Sequence, residues 1–211
     1  ADWGVDYVKV DYCGQMDSAD GHRNLSKALN ATGRPIVLEL CRGPYQLADP
    51  HDWSYAPEVA QIWRATNDHH DNFASTLEQV AAIASKGNKA YGSYNWAYGD
   101  MMMTGGQGCP FSGEDPPYMQ PQHCPEQTDN EYRTEVSLYA VLSSPMMIGT
   151  DIRNMTAIMN ETLLNGDVIM INQDYQALPG KPMKLCDGKT SAWVRNLSDG
   201  SFAVAVPNLG F

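Results

Sequence analysis

Apolar and polar positions fall into short alternating blocks. Val5, Tyr7, Val8 and Val10 form a β-branched and aromatic run that carries Lys9 and Asp11 at its end, the pattern of a buried strand. Leu25, Ala28 and Leu29 then share one face of a helix over about 20–31, stopped by Gly33 and Pro35. Pro35-Ile36-Val37-Leu38-Glu39-Leu40 reads as a second buried strand, ending at Cys41. After a loop rich in Pro, Asp and Tyr, residues 60–65 predict a third strand, which ends near Asp68. Phe73, Leu77, Val80, Ala81 and Ile83 recur at helical spacing and predict a helix over about 72–85. A less sharply patterned fourth strand lies within 90–103. The segment 104–128 is too long for a plain connection and reads as an insertion or a substrate loop. A helix over 131–142, a strand over 145–149 and a helix over 157–164 follow.

Strand and helix blocks joined in this order imply βαβ units and a parallel sheet, hence an α/β fold. Beyond Asp174 the texture changes. Residues 183–185, 191–194 and 202–206 are strand-like and are joined by Asp-Gly turns at Asp187-Gly188 and Asp199-Gly200, which predicts an antiparallel meander. A boundary at about 174–180 divides the chain into 1–175 and 176–211.

The first strand carries the strongest chemical signal. Lys9 and Asp11 are two apart and point to one side of the strand. A cation and an anion at the C-terminal end of an apolar strand lie where parallel barrels keep their chemistry; the competing reading is a structural ion pair. With 43% hydrophobic and 18% charged residues the chain has the composition of a globular protein. Its net charge of −11 argues against nucleic acid and anionic membranes as partners, and no apolar run is long enough for a membrane span. Opening at Ala1-Asp2-Trp3 and running directly into a strand, the chain reads as an interior segment of a longer protein. Acceptor sequons at Asn24, Asn30, Asn154, Asn160 and Asn196 point to a secretory route, secreted or lysosomal/vacuolar. The cysteines agree. Cys109 and Cys124 bracket the long loop and could close it, Cys13 and Cys41 each follow a strand end and could be bridged, and Cys186 is left over.

Five segments together resemble the α-galactosidase, or melibiase, family of retaining glycoside hydrolases, which includes α-N-acetylgalactosaminidases. They are Lys9-Val10-Asp11-Tyr12-Cys13, the strand end Leu40-Cys41, Trp63-Arg64-Ala65-Thr66-Asn67-Asp68, the run from Ser144 to Arg153, and Val168-Ile169-Met170-Ile171-Asn172-Gln173-Asp174. The resemblance implies the second half of a (β/α)8 TIM barrel, strands four to eight, followed by the start of an antiparallel C-terminal β-sandwich. It implies Asp11 as nucleophile and Asp68 as acid/base, the pair of carboxylates that glycoside hydrolysis needs. Retention needs them about 5–5.5 Å apart. Lys9 is expected beside Asp11, Arg64 as a clamp on sugar hydroxyls, and Tyr45 and Trp63 as walls of the site or as core. Cys41 and Asp100 complete the expected sugar-binding set with Arg42. At Arg42 many relatives have a Glu that reads the sugar C2 substituent, and the segment from Tyr94 to Met101 keeps only the final Asp-Met of a family motif.

The substrate class implied is a small carbohydrate with a terminal galactose-like sugar. α-N-acetylgalactosamine, β-L-arabinopyranose and isomaltose-type substrates stay open, as does a non-catalytic sugar-binding relative. No cofactor or metal is expected. His69-His70-Asp71 lacks a ligand partner at helical spacing, and Asp71 is read as the cap of the helix that follows. A homodimer of the full-length protein is also anticipated.

Overall fold

The computed structural model describes residues 1–11, 18–41, 55–86, 94–106, 127–184 and 191–208. Strand β1 (Tyr7–Val10) leads to helix α1 (Ala19–Ala31), which starts where the Ser18 side chain accepts from the Gly21 N–H at 3.0 Å. Strand β2 (Val37–Leu40) follows, then a short helix α2 (Ala56–Val59) inside the stretch expected to be loop. Strand β3 (Ile62–Arg64), helix α3 (Phe73–Lys86) and strand β4 (Trp96–Tyr98) complete a parallel sheet in the order β1-β2-β3-β4.

Alternation gives this sheet two unlike faces. Val10, Leu38, Leu40, Trp63 and Ala97 belong to one buried apolar cluster with Val80 and Ile83 of α3, and with Leu138 and Leu142. On the other face stand Tyr7, Lys9, Glu39, Arg64 and Tyr98, with Lys9 opposite Glu39 and Arg64 opposite Tyr98.

Helix α4 (Asp129–Val141) is the central helix, with Tyr132, Glu135, Val136 and the run from Leu138 to Val141 buried. It begins earlier than its apolar periodicity suggests, because Thr128 and Glu131 form a reciprocal capping box. The strand expected over 145–149 shrinks to one parallel bridge, Met102 to Ile148. The expected fourth strand is interrupted in the same way: Tyr94 and Asp100 adopt φ of 68° and 85°, conformations that no extended strand accommodates. A 3-10 turn (Ile152–Asn154), helix α5 (Ala157–Leu163) and helix α6 (Gly166–Asn172) follow; α6 is capped by the Asn165 side chain.

Strands β5 (Lys181–Lys184), β6 (Ser191–Asn196) and β7 (Phe202–Ala205) form a separate antiparallel sheet in that order. Gly200, at φ 87°, makes the turn between β6 and β7; the Asp187-Gly188 turn lies outside the described residues. Arg195 of β6, 1% exposed, ties this sheet to the helices. Its Nη1 donates to the carbonyls of Ala140 at 2.9 Å and Ile171 at 2.7 Å, at the C-terminal ends of α4 and α6. Gly180 joins the same seam through its N–H, 2.8 Å from the Val141 carbonyl oxygen. No helix among the described residues is long and apolar enough to cross a membrane.

Candidate active site

The polar face of the parallel sheet carries its charges toward the C-terminal strand ends. Asp11 follows β1 directly and is exposed. Asp68 lies four residues beyond the end of β3, with its side chain 82% exposed. Between them in the sheet stands β2, ending at Cys41.

Arg64 is the hub. Its side chain is 3% exposed, yet it reaches two carboxylates: Nη2 donates to Asp68 Oδ1 at 3.0 Å, and Nη1 lies 3.1 Å from Asp100 Oδ1. Desolvation is the largest influence on the guanidinium and opposes its charge, but Asp100 first, then Cys41 and Asp68, outweigh it and raise its pKa above the ordinary value. Asp100 is itself buried. Its Oδ2 accepts the backbone N–H of His69 at 2.9 Å. The left-handed backbone at Asp100 thus coincides with a carboxylate held from two sides.

Cys41 carries a free thiol, where a bridge to Cys13 was expected. Its sulfur instead accepts from Arg64 Nη1 at 3.5 Å, and Cys13 lies outside the described residues. Burial pushes the thiol up to about 11; Arg64 and Lys9 oppose that shift, while Asp11 and Asp100 add to it. Asp11 and Asp100 therefore act on one electrostatic neighbourhood.

Of the two readings of Trp63, the structure has the core and not the wall of the site: it is 1% exposed in the apolar cluster on the opposite face of the sheet, and its indole N–H donates to Asn95 Oδ1 at 2.8 Å. Lys9 forms an ion pair with Glu39, at 3.9 Å. One expectation is corrected by position. The cap of α3 is Asn72, whose side chain accepts the Ser75 N–H at 2.8 Å, whereas Asp71 accepts the Tyr132 hydroxyl. Arg42, Tyr45, Cys109, Cys124 and Cys186 lie outside the described residues.

Glu39 and His69 were not singled out as site residues by the sequence. Glu39, 2% exposed, lies on the polar face and accepts the Tyr7 hydroxyl. Its place two residues before Cys41 in an otherwise apolar strand is the signal that marks it, by the same period-two logic that pairs Lys9 with Asp11. His69 is buried, with Nδ1 donating to the Met101 carbonyl at 3.0 Å and 3.4 Å from Glu135 Oε1. Burial lowers its pKa, and its backbone holds Asp100. Among the described residues no three His, Cys, Asp or Glu side chains converge to hold a metal.

Acidic and basic side chains gathered at the C-terminal ends of neighbouring parallel strands define an α/β enzyme-type site. The family model described as alpha galactosidase A matches residues 1–174, and the chain belongs to that family. It is 32% identical over 216 residues to alpha-galactosidase 2 of Arabidopsis thaliana, covering 100% of this chain and 48% of the relative. With the alpha-galactosidase of Coffea arabica it is 33% identical over 212 residues, covering 100% and 50%. Alpha-galactosidase I from Mortierella vinacea superposes with a TM-score of 0.75 at 25% identity, over 97% of this chain and 52% of that one. A β-L-arabinopyranosidase from Geobacillus stearothermophilus gives 0.77 at 25% identity, over 97% and 46%. The chain spans about half the length of the curated relatives it matches.

Proposed function

We propose that the intact protein carrying this chain is a retaining glycoside hydrolase that removes terminal α-linked galactose-like sugars. In this reading residues 1–175 are the second half of a (β/α)8 barrel, and 176–211 begin a C-terminal β-sandwich. The observation that carries it is the placement of carboxylates across the sheet: Asp11 directly follows β1 and Asp68 lies beyond β3, with one strand between them and Arg64 holding Asp68.

Asp11 is the nucleophile. Its carboxylate oxygen bonds to the anomeric carbon as the glycosidic C–O bond breaks, and Asp68 gives its proton to the leaving oxygen. Asp68 then takes a proton from water, whose oxygen displaces Asp11 and restores both groups. Lys9, Arg64, Cys41, Asp100, Arg42 and Tyr45 make up the sugar-binding surface. Solvent exposure of all five sequon asparagines supports a secretory route.

The test is made on the intact protein. Asp11→Asn keeps the shape and removes the attacking charge, so turnover of p-nitrophenyl α-galactoside should fall by at least about 10³-fold while galactose still binds. Near-normal turnover would remove Asp11 from the role. NMR of the first product should show the α-anomer; a β-anomer would mean inversion. The arabinopyranosidase neighbour favours a second substrate, and a panel that includes p-nitrophenyl β-L-arabinopyranoside separates the two.

A further inference from the structure

Glu39 has no part in the chemistry just described, yet its surroundings are highly specific. It stands on the site-facing side of β2, in register with Lys9 of β1. One carboxylate oxygen, Oε2, accepts the Tyr7 hydroxyl. The other, Oε1, is buried without a hydrogen-bond partner and lies 3.9 Å from Lys9 Nζ. The groups that face it come from three strands: Tyr7 and Lys9 from β1, Arg64 from β3, and Tyr98 with Asp100 from β4 and the turn beyond it. Burial pushes the Glu39 carboxyl up. Tyr7, Lys9 and Arg64 oppose that shift, and Asp100 adds to it.

A carboxylate with one oxygen left unbonded in a buried position is unfavourable for folding in isolation. Lys9, by contrast, is long, flexible and 34% exposed, so its ammonium has many places to go. The Glu39 side chain is 2% exposed against 34% for Lys9, so of the two it is Lys9 that opens toward solvent. What Glu39 reaches is the one lysine that shares a strand face with Asp11.

We propose that Glu39 is a positioning residue: it fixes the Lys9 ammonium at the floor of the site, where Lys9 meets the sugar beside Asp11. The inference rests on the glycosidase reading above for the role of Lys9, but not for the contact between Lys9 and Glu39. Tyr7 locks the carboxylate in place from below through Oε2, which leaves Oε1 for the ammonium.

Glu39→Gln, Lys9→Met and the double variant, each in the intact protein, test this. Glu39→Gln keeps the size of the side chain and an oxygen for Tyr7 but removes the charge. On p-nitrophenyl α-galactoside it should raise KM about tenfold with kcat within about threefold, a loss of binding rather than of chemistry. The double variant should match Lys9→Met within about twofold, because a residue that acts only through Lys9 has nothing left to lose. A second readout needs no turnover. Reductive methylation of Lys9, followed by mass spectrometry against the other lysines, should run about threefold faster in Glu39→Gln once the ammonium is released.

An active wild type with unchanged KM in Glu39→Gln overturns the inference and leaves the glycosidase reading intact. So do penalties that multiply in the double variant. A wild type inert on every glycoside overturns the glycosidase reading; faster Lys9 labelling in that case still upholds the positioning, and unchanged labelling overturns both.

Discussion

Arg64 serves two carboxylates with one guanidinium, Asp68 at 3.0 Å and Asp100 at 3.1 Å. A planar fork holds both in fixed directions, which the compact, rotatable ammonium of a lysine does not. Arg64→Lys should therefore keep the positive charge but lose the orientation of Asp68, lowering kcat/KM about 10- to 100-fold with the fold preserved. Steady-state kinetics beside a far-UV spectrum check this; unchanged kcat/KM would show that Asp68 is placed by something else. Glu135 makes a different prediction. It is fully buried, accepting the Met103 N–H at 2.8 Å and the Thr104 hydroxyl at 2.7 Å. Burial pushes its carboxyl from 4.5 up to about 7 despite those bonds. The folded state thus holds its proton more tightly than the unfolded chain. Stability from this group is complete below about 4.5 and is lost as pH rises through about 7, a change of roughly 3 kcal/mol. Relative to Glu135→Gln, the wild type should lose stability over that window in denaturant titrations; a constant difference would refute it. Motifs single out Asp11, Arg64, Asp68 and Asp100 in the sequence, and strand parity bears only on the first two, since Asp68 and Asp100 lie beyond the ends of β3 and β4. The sequence left Trp63 open between wall and core, although adjacent residues of a strand face opposite ways, so a site-facing Arg64 already puts Trp63 behind the sheet. Glu39 carried a period-two signal that was passed over, whereas His69 is marked only by burial among groups distant in sequence, which single-strand patterns do not carry.

Among the elements, the long helices were legible and the short strands only partly so. α1 and α3 follow from apolar spacing alone. α4 starts at its capping box rather than at its first apolar residue, and Thr128→Ala should cost about 1 kcal/mol in chemical unfolding. A change below about 0.3 kcal/mol would mean that tertiary packing, not the cap, sets that end. The strand over 145–149 was expected from an apolar run, Pro145-Met146-Met147-Ile148-Gly149. Such runs specify burial better than they specify conformation, and here one bridge is all that forms. Gly99 shows a constraint that sequence does not print. A methyl group there would come within 2.7 Å of Ile83 Cδ1 and 2.8 Å of the Tyr139 hydroxyl oxygen, so the approach of α3 and α4 to the sheet depends on the missing side chain.

For the whole molecule, sequence order was enough to separate a parallel α/β part from an antiparallel sheet, and the structure has both. What order could not supply is how they are joined. A central part of that junction is Arg195, sunk from β6 into the carbonyl ends of α4 and α6. Helix ends of this kind carry partial negative charge and unsatisfied acceptors, and here the acceptors are satisfied by a residue from the next sheet. Neither side can come apart without stranding the other's polar groups. The two sheets should consequently melt as a single cooperative unit in calorimetry of the intact protein. Arg195→Met, which fills the space but offers no donors, should divide that one endotherm into two, and a single unshifted peak in the variant would show that the sheets are held together elsewhere. A cation placed for anchoring would then have a second effect: damage at the far edge of the antiparallel sheet would reach the strands that carry Asp11 and Asp68 as heat lability, without touching a sugar.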